Sequence, residues 1–153
     1  MTKIDTDKIR KLRDVTGAPV MRVKQVLEEQ GKDEKKAEKI LKKEGFEKAA
    51  KRKGRETNQG IVSVYSHHSG KVVGVVELLC ETDFVARNDL FKGLAYDLAM
   101  QVASMNPKNE KELLKQDFIK DSSKKVGDLI NEVVAKTGEN VKLGRIYRME
   151  LGK

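Results

Sequence analysis

The sequence predicts an α+β fold, with a three-helix module followed by a β-β-α-α-β unit whose three strands make one antiparallel sheet. Three observations predict it. Residues 5–52 carry apolar side chains at three- and four-residue spacing, interrupted by glycines. From Ile61 to Leu79 the chain turns to β-branched runs around a Ser-Gly turn. From Asn88 the helical period returns, and an alternating apolar stretch closes the chain at 141–151.

Asp5 or Thr6 can cap the first helix, whose Ile9, Leu12 and Val15 recur at three-residue steps. Thr16-Gly17-Ala18 breaks it, and Pro19 suits the first turn of the second helix. Val20, Val23, Val26 and Leu27 form that helix's apolar stripe, and Gly31 ends it. Asp33 caps the third, in which Ala37, Ile40 and Leu41 face inward and the pattern runs on through Ala49-Ala50. These helices define a module over 1–53. Residues 54–59 have no apolar side chain and read as a linker.

The core unit spans 60–153. Ile61–Tyr65 and Val72–Leu79 pair as a hairpin across His67-His68-Ser69-Gly70. Leu90, Leu94, Leu98 and Val102 follow at four-residue steps, and Asn106-Pro107 stops that helix. A short polar segment carries Leu113, Leu114 and Phe118. Ser122 or Ser123 can cap a further helix through Val126, Leu129, Ile130 and Val133, which Thr137-Gly138 ends. Val141, Leu143, Ile146, Tyr147, Met149 and Leu151 form the closing strand. A small sheet with helices on one face leaves the other uncovered, a surface that self-association would bury.

Composition narrows the function classes. No stretch approaches the 20 or so apolar residues of a membrane span. Met1-Thr2-Lys3-Ile4-Asp5 lacks the apolar core of a secretory signal, and acids this early do not fit a transit peptide. The single cysteine, Cys80, cannot form an internal disulfide and fits a reducing compartment, so a cytoplasmic location is expected. The net charge is +8, but residues 1–57 hold 18 basic and 11 acidic residues, whereas 58–153 hold 14 and 13. Lys32 to Arg55 alone has 11 basic against 5 acidic. Such a block attracts polyanions, or is simply a solvated helix face in which Lys and Glu interleave.

Catalytic chemistry is not evident. Adjacent His67 and His68 would point to opposite faces of a strand, which disfavours a shared metal ion, and next to a turn they read as exposed polar residues. Cys80 sits in an apolar run with no base to activate it. The glycines punctuate helices and form no phosphate loop. One segment stands apart. Glu81-Thr82-Asp83-Phe84-Val85-Ala86-Arg87-Asn88 puts Phe84 and Val85 in a connection expected to be polar. Phe84 either folds back as a hydrophobic staple on the next helix, or is a wedge presented to a partner with Asp83 bracing the loop through backbone hydrogen bonds.

Thr82-Asp83-Phe84-Val85-Ala86-Arg87-Asn88 resembles the signature of the elongation factor Ts family, the guanine-nucleotide exchange factors of bacterial translation. Leu12-Arg13-Asp14-Val15-Thr16-Gly17-Ala18-Pro19-Val20-Met21, with Lys24 and Leu27, resembles that family's N-terminal module, a ubiquitin-associated (UBA)-like three-helix fold. Ala49-Ala50-Lys51 and Gly138-Glu139-Asn140-Val141 resemble the end of its third helix and the approach to its last core strand. The resemblance implies elongation factor Tu as partner, in GDP-bound and nucleotide-free forms, and release of GDP as the task. The loop Thr82, Asp83, Phe84 and Val85 would contact the partner, with Asp83 and Phe84 entering a crevice of its GTPase domain and loosening its magnesium site until GTP expels the factor.

Arg13, Val20 and Met21 would form a second contact, although Val20 departs from the family's usual Met. No catalytic residue, metal or cofactor is expected, and the protein would not be an enzyme. Long members of the family carry a second core and a coiled-coil insertion. This chain resembles the short forms, in which two chains pair their sheets, so a homodimer binding two partner molecules is expected. No direct nucleic-acid role is expected. The alternative is an RNA-binding module built on Lys32–Arg55, which would show steep salt dependence. Against it, 3 Tyr and 4 Phe form no stacking platform beside that run.

Overall fold

The computed structural model describes residues 5–153. The segment Met1–Ile4, on which the reading of the N-terminus mostly rests, lies outside the described residues.

The first module consists of α1 (Thr6–Thr16), α2 (Val20–Glu29) and α3 (Glu34–Arg52). Helix starts leave backbone N–H groups without intrahelical acceptors. Asp5 accepts from the N–H of Asp7, and Asp33 accepts from those of Lys35 and Lys36. Gly17 closes α1 in the left-handed region at φ 68°, its N–H donating to the Arg13 carbonyl at 2.7 Å. Glycine takes that conformation without a Cβ clash. Pro19 is the N-cap of α2, one residue ahead of the expected first-turn position, and Gln30 rather than Gly31 is its C-cap.

Leu12, Val23, Val26, Leu27, Ala37 and Leu41 form the module's core, with Ile9, Ala18 and Ile40 against it. Val15 and Val20, expected on inward stripes, are exposed. They belong to the α1–α2 corner, beyond the small volume that three short helices enclose.

The second unit runs β1 (Gln59–Ser66), β2 (Val72–Cys80), α4 (Asp83–Ala86), α5 (Asp89–Met105), α6 (Glu110–Lys115), β3 (Asp117–Phe118), β4 (Asp121–Lys125), α7 (Val126–Thr137) and β5 (Val141–Glu150). The expected three-stranded antiparallel sheet is present, in the order β1-β2-β5. Helix α5 lies on its inner face. At Gly74 the approach is so close that a Cβ would strike the carbonyl oxygen of Ala99 and the backbone nitrogen of Ala103. Phe91, Leu94, Leu98 and Val102 of α5 pack with Val76, Leu78 and Cys80 of β2 and with Val126, Val133 and Val134 of α7. Leu90, the first residue of the expected stripe, is exposed at the start of α5.

The element order is richer than β-β-α-α-β. The short helices α4 and α6 and the β3–β4 hairpin are additions. The hairpin has no apolar alternation to announce it. It is sewn to α5 by the buried Gln101, whose amide nitrogen donates to Gln116 Oε1 at 3.2 Å and the Asp117 carbonyl at 3.0 Å. Gln101 Oε1 accepts from the Ile119 N–H at 3.0 Å. Ser122 and Ser123 lie in β4 and do not cap α7. Lys125 is the cap residue, its N–H donating to Asp128 at 3.3 Å.

The two parts are packed together. Helix α3 runs past its module so that Ala49 enters the second core, and it lies along α7. A Cβ at Gly45 would sit 3.1 Å from that of Ala135, and one at Gly17 would come within 2.8 Å of the Lys136 backbone. On the sheet's outer face, Val64, Val75 and Tyr147 form one row across the strands, and Ser66, Val73 and Met149 the next. Val62, Val64, Tyr147 and Met149 are exposed there. Among the described residues no helix is long and apolar enough to cross a membrane.

Candidate functional site

The segment between β2 and α5 is a single helical turn, α4, rather than an open loop. Thr82 is its N-cap, with Oγ1 accepting from the Val85 N–H at 3.4 Å. Asn88 then caps α5 by accepting from the Leu90 N–H at 2.8 Å. Burial changes sharply along the turn. Val85 and Ala86 join the core beside Phe91, whereas Phe84 is 81% exposed. Phe84 is therefore not a staple on the following helix.

Asp83 forms an ion pair with Arg87 at 3.3 Å. The loop is braced by Thr82 instead of the Asp83 carboxylate. The Thr82 backbone N–H donates to Glu139 Oε2 at 3.0 Å and its hydroxyl to Glu139 Oε1 at 2.5 Å. Next to it, Glu81 accepts from the Asn140 N–H at 2.7 Å and pairs with Arg55 at 3.6 Å. Asn140, 2% exposed, donates through Nδ2 to the carbonyls of Lys53 and Arg55. Glu139 and Asn140 were not singled out as site residues. They figure in the sequence only within the stretch that resembles the approach to the last core strand, and nothing local ties them to the Thr82 turn, because their partners lie 57 to 87 positions away in the chain.

The second group of candidates lies at the α1–α2 corner. Met21 is 73% exposed, Val20 and Arg13 are exposed, and Val15 adds apolar surface. Thr16 holds the corner from inside, its hydroxyl donating to the Leu12 carbonyl at 2.6 Å and accepting from the Ala18 N–H at 3.3 Å. Arg22, one residue on, is held by a bidentate contact to Glu44 of α3, and that guanidinium keeps the Glu44 carboxyl below its ordinary pKa. The basic run on α3 is partly neutralised in the same way, by Lys36–Asp33 and Lys42–Glu38 pairs.

Cys80 is buried. Its thiol donates to the Thr82 carbonyl at 3.1 Å, and burial, reinforced by the nearby Glu139 charge, pushes its pKa up to about 11. At neutral pH it is a protonated packing group rather than a nucleophile. His67 and His68 lie past the end of β1, where the argument from opposite strand faces does not apply, and their ring centroids are 4.0 Å apart. His67 Nδ1 is satisfied by Ser69 Oγ at 2.8 Å. Among the described residues no three His, Cys, Asp or Glu side chains converge on a point a metal ion could occupy. Two of the exposed apolar features among the described residues are therefore an aromatic residue on a braced turn and the α1–α2 corner, side chains of the kind that anchor protein contacts.

A family model described as Elongation factor TS matches residues 81–153, which includes the α4 turn. A protein of Thermotoga petrophila named Elongation factor Ts is 40% identical, covering 99% of this chain and 98% of its own. Proteins of the same name from Nitratidesulfovibrio vulgaris and Desulforamulus reducens are 36% and 37% identical, covering 97% and 100% of this chain. The Thermotoga match runs over 194 residues where this chain has 153, so that relative carries additional residues within the shared span.

Proposed function

Because the chain belongs to the elongation factor Ts family, we propose that it is a guanine-nucleotide exchange factor of translation elongation, binding elongation factor Tu and speeding release of its GDP. The observation that carries this reading is Phe84, held 81% exposed on a turn whose next two residues are core. An aromatic side chain costs stability when left in water, and here the backbone beneath it is anchored, so its orientation is set before any partner arrives. Phe84 enters the partner, with Asp83 beside it. Val85 supports the wedge from the core side, and Thr82 sets its angle. Arg13, Val20 and Met21 make a second contact from the three-helix module, which we take to be of the UBA-like type.

The mechanism is linkage between two ligands of one partner. If the factor fits the nucleotide-free form better than the GDP-bound form, it weakens GDP binding, and GDP weakens the factor by the same ratio. Each ~1.4 kcal/mol of coupling is tenfold in affinity. The wedge acts on the helix that supports the partner's magnesium site, and GTP later expels the factor. No bond is made or broken, so the protein is not an enzyme and supplies no metal or cofactor. It works in the cytoplasm. The outer sheet face supports a homodimer that binds two partner molecules.

The test is release of a fluorescent GDP analogue from elongation factor Tu as this protein is added. Acceleration at substoichiometric amounts, abolished by Phe84→Ala with the fold intact, is the expected result. No acceleration by folded protein would end this reading and favour RNA binding through the basic helix.

A further inference from the structure

Resting on the exchange reading above, we propose that Glu139 is a positioning residue for exchange, the clasp that presents Phe84 at a set distance from the Met21 corner. Thr82 begins the only turn that carries Phe84, and the Glu139 carboxylate accepts from both its N–H and its hydroxyl. Two charge-assisted hydrogen bonds to one residue restrain rotation as well as position. The same hydroxyl in turn accepts from the Val85 N–H, so Glu139, Thr82 and the turn form one continuous chain of hydrogen bonds.

Glu139 itself is well placed to hold this geometry. It follows Gly138, which ends α7 in the left-handed region at φ 77°, and its own N–H donates to Thr137 Oγ1 at 3.4 Å. Three residues earlier on α7, Lys136 abuts Gly17 at the α1–α2 corner. One residue later, Asn140 binds the Lys53 and Arg55 carbonyls that follow α3. Within five residues the end of α7 therefore touches the Thr82 turn and Gly17, the bend between the helices that carry Arg13 and Met21. A partner engaged at two points rewards a rigid spacing between them, because the second contact then forms without further ordering. Glu139 does this without touching the partner.

The experiment measures exchange on the full chain at several concentrations of the GDP-bound partner, separating kcat from KM, for Glu139→Ala, Glu139→Gln and Phe84→Leu, whose smaller apolar side chain leaves measurable exchange, and for Glu139→Ala combined with Phe84→Leu. Displacement of a positioned group by about an ångström costs on the order of a hundredfold, so a loss of roughly tenfold or more in kcat/KM is expected for Glu139→Ala. Glu139→Gln, which keeps an acceptor for the Thr82 N–H, should recover much of it. In the Phe84→Leu background Glu139→Ala should cost several-fold less than in the unsubstituted chain, because residues acting through one another are not additive. Hydrogen exchange at the Val85 amide should quicken in Glu139→Ala with α5 still protected. Wild-type kcat/KM in folded Glu139→Ala overturns the positioning role alone, as does an equal loss with and without Phe84→Leu. No acceleration by the unsubstituted chain overturns the exchange reading and this role together.

Discussion

Phe84 and Val85 are adjacent, similar in polarity and opposite in fate. Val85 is in the core and Phe84 is in water, because one helical turn points successive side chains about 100° apart. Phe84→Ala should leave stability within about 0.5 kcal/mol, as for other exposed positions, while exchange is lost. A buried phenylalanine would instead cost about 3–5 kcal/mol, so thermal denaturation of the variant separates the two cases. Cys80 supplies a pH signature. Its folded pKa is raised, to about 11 from an ordinary value of 9.0, so the folded chain holds a proton that the unfolded chain releases first. The contribution to stability is complete below about pH 9 and is lost as pH rises toward 11. Urea titrations should show a declining midpoint across that window that Cys80→Ala flattens. At pH 7.5 the thiol should resist iodoacetamide until the chain unfolds.

At the scale of elements, both ends of α1, the start of α3 and the end of α7 followed their capping chemistry, the ends of α2 and the start of α7 did not, and elements without an apolar period went unannounced. Asp33 caps α3 as its type and position suggest, and Gly17 and Gly138 close α1 and α7 in the left-handed region. The β3–β4 hairpin is polar apart from the buried Phe118 and the adjoining Ile119, too few apolar residues to make an alternation, and Gln101 ties it to α5. The contact of α5 with the sheet hinges on the absence of a side chain at Gly74. Gly74→Ala should destabilise the chain by about 1–3 kcal/mol, the usual cost of overpacking, since the obstacle is helix backbone rather than a movable side chain. A midpoint unchanged in urea denaturation would show that α5 can back away freely.

At the scale of the molecule, the exposed valine, tyrosine and methionine rows on the outer sheet face make an apolar surface larger than scattered single residues would. We propose that a second copy covers it. The Glu77–Arg145 pair at 2.8 Å sits beside Val62 and Tyr147, and Arg145 holds the Glu77 carboxyl below its ordinary value, so the pair persists further into acid than an unpaired glutamate would allow. Light scattering at tens of micromolar should return twice the chain mass, and Val64→Lys with Tyr147→Lys should return the single mass without loss of fold. A monomeric unsubstituted chain would remove the dimer.

Periodicity was enough to place the five longer helices and the three strands of the main sheet, because burial in a regular element is largely written in its spacing, with Val15, Val20 and Leu90 at helix ends as the exceptions. The three-helix start, the β1–β2 hairpin, the long α5 and the closing strand could all be read in this way. The α4 segment was legible as unusual, since an apolar pair between charged residues has no place in an ordinary connection. Tertiary structure alone decided that Phe84 faces out, that Thr82 rather than Asp83 braces the turn, and that Glu139 and Asn140 hold it. Those outcomes depend on hydrogen bonds between residues more than 50 positions apart. Such bonds impose no pattern on their neighbours, because one carboxylate in the right place suffices, and only the folded chain brings it there.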